Sequence, residues 1–153
     1  GVAAQSAGAG AAAGASCSSS PGELRRLARE AFASLGQAAE EREQGEETLF
    51  SFRAGQRVDC VLVLRGGVLK FLAGFRPPEA WDRARALAFA NGWNDERRFS
   101  RACVDKAGDL VLDMDLDGRH VALDRSGMEH FVRIFGASAL TCAEEMHGAP
   151  AAS

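Results

Sequence analysis

No bulky apolar run in this chain is longer than the four residues Val61 to Leu64. A spanning helix needs about 18 or more, so no membrane span is expected. A dominant charge is missing too. The 18 basic and 21 acidic residues leave a formal net charge of −3, which gives no global field to gather nucleic acid or anionic lipid. Cysteine is sparse, and Cys17, Cys60, Cys103 and Cys142 include no C-x-x-C pair or Cys/His cluster with zinc-site spacing. They read as reduced, buried thiols. Cys60 and Cys103, both in expected strands, are the pair that would bridge in an oxidising compartment. Catalytic signatures are absent as well: there is no G-x-S-x-G and no phosphate-binding G-x-x-x-x-G-K. His120, His130 and His147 have no metal-type pairing and read as surface groups. The expectation is a non-enzymatic protein without a cofactor.

What is present is an ordinary globular composition, 46% apolar and 25% charged over 153 residues. Residues 1–20 are almost wholly Ala, Gly and Ser, with too little to bury to offset the entropy of ordering them. A disordered tail is expected there, one domain over 21–147, and a second disordered stretch over 148–153. The chain has no initiator Met and reads as a processed product or a fragment. The cytoplasm is the favoured compartment, with a processed targeting peptide or a secreted form as alternatives.

The domain should open at Ser20, where S-P-G-E supplies an N-cap, a proline at the first helical position and Glu23 three residues on. Leu24, Leu27, Ala28, Ala31 and Leu35 then recur at helical spacing, leaving Arg25, Arg26, Arg29 and Glu30 toward water. The acidic stretch Glu40 to Glu47 reads as a polar connection. Three strands follow, Thr48–Arg53, Arg57–Leu64 and Val68–Phe75. In the second of them Val58, Cys60, Leu62 and Leu64 alternate with an equally apolar Val61 and Val63, the pattern of a strand covered on both sides. Pro77, Pro78 and Glu79 open a second helix running through Trp93, with Trp81, Ala84, Leu87 and Ala88 along one side. That small-residue side is expected to contact a protein partner or a second copy of the chain. A hairpin, Phe99–Asp105 and Asp109–Asp117, leads to a last helix with Ser126 and Glu129 as its capping box. Met128, Phe131, Val132, Phe135, Ala139 and Cys142 share one face of that helix. The order α-β-β-β-α-β-β-α implies an α+β fold, an antiparallel sheet with helices packed on it.

The segment Trp93 to Asp117 admits two readings. Asp113, Asp115, Asp117, Gly118 and Asp124 occupy positions one, three, five, six and twelve of a calcium-binding EF-hand loop. A calcium-responsive sensor is therefore the alternative function. Against it, Leu110, Leu112, Met114 and Leu116 alternate with those aspartates, which places the carboxylates on the solvated side of a strand. Trp93 and Phe99 are expected to anchor the junction of helix and hairpin in the core. Arg97, Arg98 and Arg101 have Asp95, Glu96 and Asp105 beside them and read as a salt-bridged surface.

The same segment, W-N-D-E-R-R-F-S-R-A at 93–102 followed by G-D-L-V-L-D-M-D-L-D at 108–117, resembles the signature of the YbjN family. Gly92 and Cys103 depart from the usual pattern. The resemblance implies the fold of type III secretion chaperones and the role of a bacterial sensory transduction regulator, with no catalytic residues to carry over. It also implies binding, by a homodimer that holds a protein partner of unknown identity along exposed strands and apolar patches.

Overall fold

The computed structural model describes residues 19–148. Its elements are α1 (Pro21–Ser34), β1 (Ala39–Gln44), β2 (Glu47–Ala54), β3 (Val58–Arg65), β4 (Val68–Phe75), α2 (Arg83–Glu96), β5 (Arg101–Val104), β6 (Leu110–Asp117) and α3 (Arg125–His147). The six strands form one antiparallel sheet in the order β1-β2-β3-β4-β6-β5. The fold is α+β, as the sequence implies. The tail over 1–18 and residues 149–153 lie outside the described residues, together with the disorder expected of them. Ser20 is the N-cap expected of it, and Ser19, placed in the tail from sequence, belongs to the fold as well. The Ser19 N–H donates to the Gly118 carbonyl at 3.1 Å, and the Ser20 hydroxyl accepts the Glu23 N–H at 3.2 Å.

Local chemistry sets most boundaries. Gly66 and Gly67, with φ of 55° and 85°, make the two-residue β3–β4 turn, whose positive φ values suit the right-handed strand twist. The second helix begins later than expected. Pro77 and Pro78 lead into a turn closed by the Trp81 N–H on the Pro78 carbonyl, and Asp82 caps α2 by accepting the Arg85 N–H at 2.8 Å. That helix continues through Gly92 to Glu96. In α3 the cap is Asp124, which accepts the Gly127 N–H at 2.7 Å. Ser126 lies one residue inside the helix, and Glu129 pairs with Arg125 instead of closing a box.

The clearest departure is β1, which replaces the expected polar connection. All six of its residues are exposed, so its sequence carries no apolar period. It forms because its backbone pairs with β2 and because α1 lies over its inner side. Arg29 grips Glu41 through two hydrogen bonds of 2.6 and 2.7 Å, and Glu43 accepts from Thr48 while facing Arg25 at 3.6 Å. Arg25 and Arg29 thus meet carboxylates, not water alone. Charge along this edge also discourages pairing with another sheet.

The core lies between the sheet and the helices. Leu24, Leu27, Ala28, Ala31 and Phe32 of α1, and Met128, Val132, Phe135, Ala139 and Cys142 of α3, meet the buried face of the strands. Phe71 and Phe135 touch ring to ring at 5.4 Å, and Phe32 lies between Phe50 and Phe52 at 5.7 and 5.1 Å. The α2 helix joins the same core at the β5 end through Ala90 and Trp93.

Candidate interaction surface

The signature segment first holds the sheet edge together. Trp93 is buried and its indole N–H donates to the Ser100 hydroxyl at 3.2 Å. Next to it, the Asn94 amide donates to the Ala102 carbonyl at 2.9 Å and accepts the Ala102 N–H at 2.7 Å. One side chain therefore satisfies both backbone groups that Ala102 would otherwise leave open on the edge strand β5. This role was not read from sequence, although the Trp-Asn pair just ahead of a short strand was its signal. Phe99 does the opposite of what was expected. It is 69% exposed with φ of 72°, because the chain must reverse between the end of α2 and β5.

The acidic residues are divided among separate tasks. Arg101 lies 3.1 Å from Asp113 and 3.4 Å from Asp115, across the β5–β6 pair. Asp117 is held by Arg119 through two side-chain bonds and the backbone N–H, which keeps its carboxyl well below the usual carboxylate range. Asp124 caps α3. The aspartates at 113, 115 and 117 lie along an extended strand, each two residues from the next, not around a loop, so the calcium-loop alternative finds no support in this geometry. Among the described residues no group of three or more potential metal ligands converges.

The thiols expected from sequence to be reduced and buried are buried at Cys60 and Cys142 but exposed at Cys103, and the Cys60–Cys103 pairing left open for an oxidising compartment does not fit the sheet. Both thiols of that pair are free. Strands β4 and β6 lie between theirs, a span of about 14 Å in strand spacings, against the roughly 7 Å limit for a disulfide. Burial pushes Cys60 up to about 11 and Cys142 up to about 12. His120, His130 and His147 are exposed. Arg97 pairs with Glu145 and lies 5.1 Å over the Trp93 ring.

Two apolar surfaces are left over. On α2, Ala84, Leu87 and Ala88 point to solvent, Leu87 being 41% exposed, while the opposite side buries Ala86, Ala90 and Trp93. Trp81 precedes the helix, half-buried against Phe89 at 5.3 Å, with Arg85 over its ring at 4.9 Å. The larger surface is the second face of the sheet. Val61 and Val63 were expected under cover on both sides. Instead, the helices pack on the other face, and Leu49, Val61, Val63, Val68, Leu72 and Val111 stand half-buried outside the core. A shallow depression of about 740 Å³ lies on this face, over Ser51, Val61, Leu72 and Gly74 and bounded by Arg53 and Asp59.

With this architecture in place, the matches to known proteins can be stated. The sequence profile of the YbjN family, described as "putative bacterial sensory transduction regulator", matches residues 28–148. The chain belongs to the YbjN family. A crystal structure of YbjN from E. coli, described as "a putative transcription regulator", is similar with a TM-score of 0.65. It is 16% identical, over 83% of this chain and 90% of that one, and at that identity the likeness shows the fold. No curated protein matches the chain significantly. In YbjN terms, Trp93, Asn94, Arg101 and Ala102 of the signature act as a structural clasp joining α2 to the sheet.

Proposed function

We propose that this YbjN-family domain is a non-enzymatic regulatory or chaperone-like module that acts by binding protein, as a homodimer. The observation that carries the reading is the bare sheet face, where half-buried aliphatic side chains on four adjacent strands meet no helix. Surfaces of this kind are typical of protein contact. The polar groups support the same reading, since the arginines and aspartates of the signature hairpin are tied to one another and to backbone groups. The exposed side of α2, Ala84, Leu87 and Ala88 with Trp81 at its foot, is a second surface offered to a protein partner.

The test uses purified protein as bait in a bacterial lysate beside its Val61→Glu and Leu87→Glu variants. A defined protein partner retained by the wild type and lost from one variant is the expected result. Equal recovery of every protein by all three baits would overturn the reading.

A further inference from the structure

We infer that the open face of the sheet is the docking site for a second copy of this chain, giving a dimer of four layers, helix, sheet, sheet and helix; the inference rests on the protein-binding reading above. Three properties of the face lead there, and each follows from the strand register.

The first is demand for cover. The outward residues of β3 are as apolar as a central strand covered on both faces requires, yet only one face is covered within the chain. The second is shape. Phe50, Leu62, Phe71 and Met114 are mutual neighbours in one row across the sheet, and their side chains point inward. On the open face this row divides two unlike halves. Toward one end stand Leu49, Val63 and Val68; toward the other, Ser51, Val61 and Gly74 line the depression. A twofold axis lying along that row, between two stacked sheets, sets Leu49 over Ser51 of the second copy and Val68 over its Gly74. Large side chains thus enter the space that small ones leave, Val61 meets Val63, and Leu72 meets the aliphatic stem of Lys70, the cross-strand neighbour of Asp115. Contacts of this kind are isologous, each made twice.

The third property is charge. The same axis carries Arg42 onto Glu40, Glu47 onto Arg53 and Arg65 onto Asp59, so three opposite-sign pairs surround a centre whose one cation is Lys70, beside Asp115 of its own chain, while Val111 falls on Asp117. Asp113 meets Asp115 on the β6 flank, and there Arg101 of each chain already holds both carboxylates. Size is adequate as well. Six strands of up to eight residues cover about 600 Å² in plan, and side-chain relief brings this toward the ~800 Å² per partner of a standard interface. Sheets stacked face to face align within about 30°, which keeps these rows in register near the axis.

The experiment is sedimentation equilibrium on the purified full chain, from 1 to 200 µM as working concentrations on the order of those that bracket micromolar affinity. The expected result is a dimer of twice the 16.2 kDa chain mass. Gly74→Leu is the decisive variant. A Cβ at Gly74 meets nothing within 4 Å, so the chain keeps its fold while the depression is filled. It should weaken association at least tenfold with circular dichroism and melting unchanged. Asp59→Arg should weaken it too, and Asp59→Arg with Arg65→Asp should restore it. A wild type that stays monomeric overturns the inference, as does a dimer unaffected by Gly74→Leu. So does a dimer lost in Leu87→Glu alone, which moves the contact to α2. Because only purified protein is present, a monomer that still captures a partner from lysate sinks the dimer and leaves the binding function standing.

Discussion

Replacing Asn94 by alanine isolates what the signature contributes to the fold. The change removes two hydrogen bonds, 2.7 Å from the Ala102 N–H and 2.9 Å to the Ala102 carbonyl. Neutral bonds of this kind contribute about 1 kcal/mol each, and leaving buried partners unmatched raises the cost. Ala102 is only 4% exposed, which limits rescue by water, and a loss of about 2 to 3 kcal/mol is expected. For a domain of this size that lowers the melting temperature by roughly 6 to 12 °C. Urea denaturation monitored by tryptophan fluorescence gives the free energy directly. Hydrogen exchange should show faster loss of protection at Ala102 and its β5 neighbours than in β3. Asn94→Asp sharpens the test. Its carboxylate still accepts from the N–H but faces the Ala102 carbonyl with no proton to donate, so at neutral pH it should cost at least as much as alanine. That penalty, relative to wild type at the same pH, should shrink on acidification. A loss below about 0.5 kcal/mol for Asn94→Ala, with β5 exchange unchanged, would refute the clasp.

Four further outcomes follow from particular contacts. Gly118→Ala should destabilise by about 2 kcal/mol in urea denaturation, because its Cβ would lie 2.9 Å from the Gly67 carbonyl oxygen and 3.3 Å from Leu24 and Leu69; an unchanged midpoint would contradict that packing. In a Cys17→Ser background a thiol reagent at pH 8 should label Cys103 rapidly, while Cys60 and Cys142, pushed up to about 11 and about 12, react only on unfolding; mass spectrometry separates the cases. For those two buried acids the folded state holds its proton more tightly, so their contribution is complete below the ordinary thiol range and is lost as pH rises from about 9, at up to about 1.4 kcal/mol per pH unit for each thiol. A Cys60→Ala/Cys142→Ala variant should show a flatter decline in stability between pH 9 and roughly 11, and parallel curves would count against burial as the cause. Calorimetry with calcium should give no saturable heat below about a millimolar, because Asp113 and Asp115 already serve Arg101.

Elements were legible wherever a side-chain period coincided with a local stop signal. Ser20-Pro21 opens α1, Gly66-Gly67 closes the β3–β4 hairpin, and the alternation from Leu110 to Asp117 is the β6 strand. The pattern fails where stability comes from partners distant in sequence. The six exposed residues of β1 carry no period; their strand exists because β2 and the arginines of α1 lie beside them. The starts of α2 and α3 were misplaced because Asp82 and Asp124 compete as caps with the proline pair and with Ser126. Only the folded geometry shows which side chain reaches the free N–H groups. At the candidate surface, the apolar outward residues of β3 were visible, but what covers them was not.

By itself, then, the sequence determined the α+β class and the inward faces of the main elements, because these depend on short-range periodicity and on turn and cap chemistry, and the Trp93–Asp117 signature carried the resemblance to the family. Tertiary structure decided that Asn94 clasps Ala102 at the β5 edge and that the hairpin aspartates serve arginines. It also decided that one sheet face stays bare. Each of these depends on strand register and on which distant segments become neighbours, and the order of residues along the chain does not carry that information.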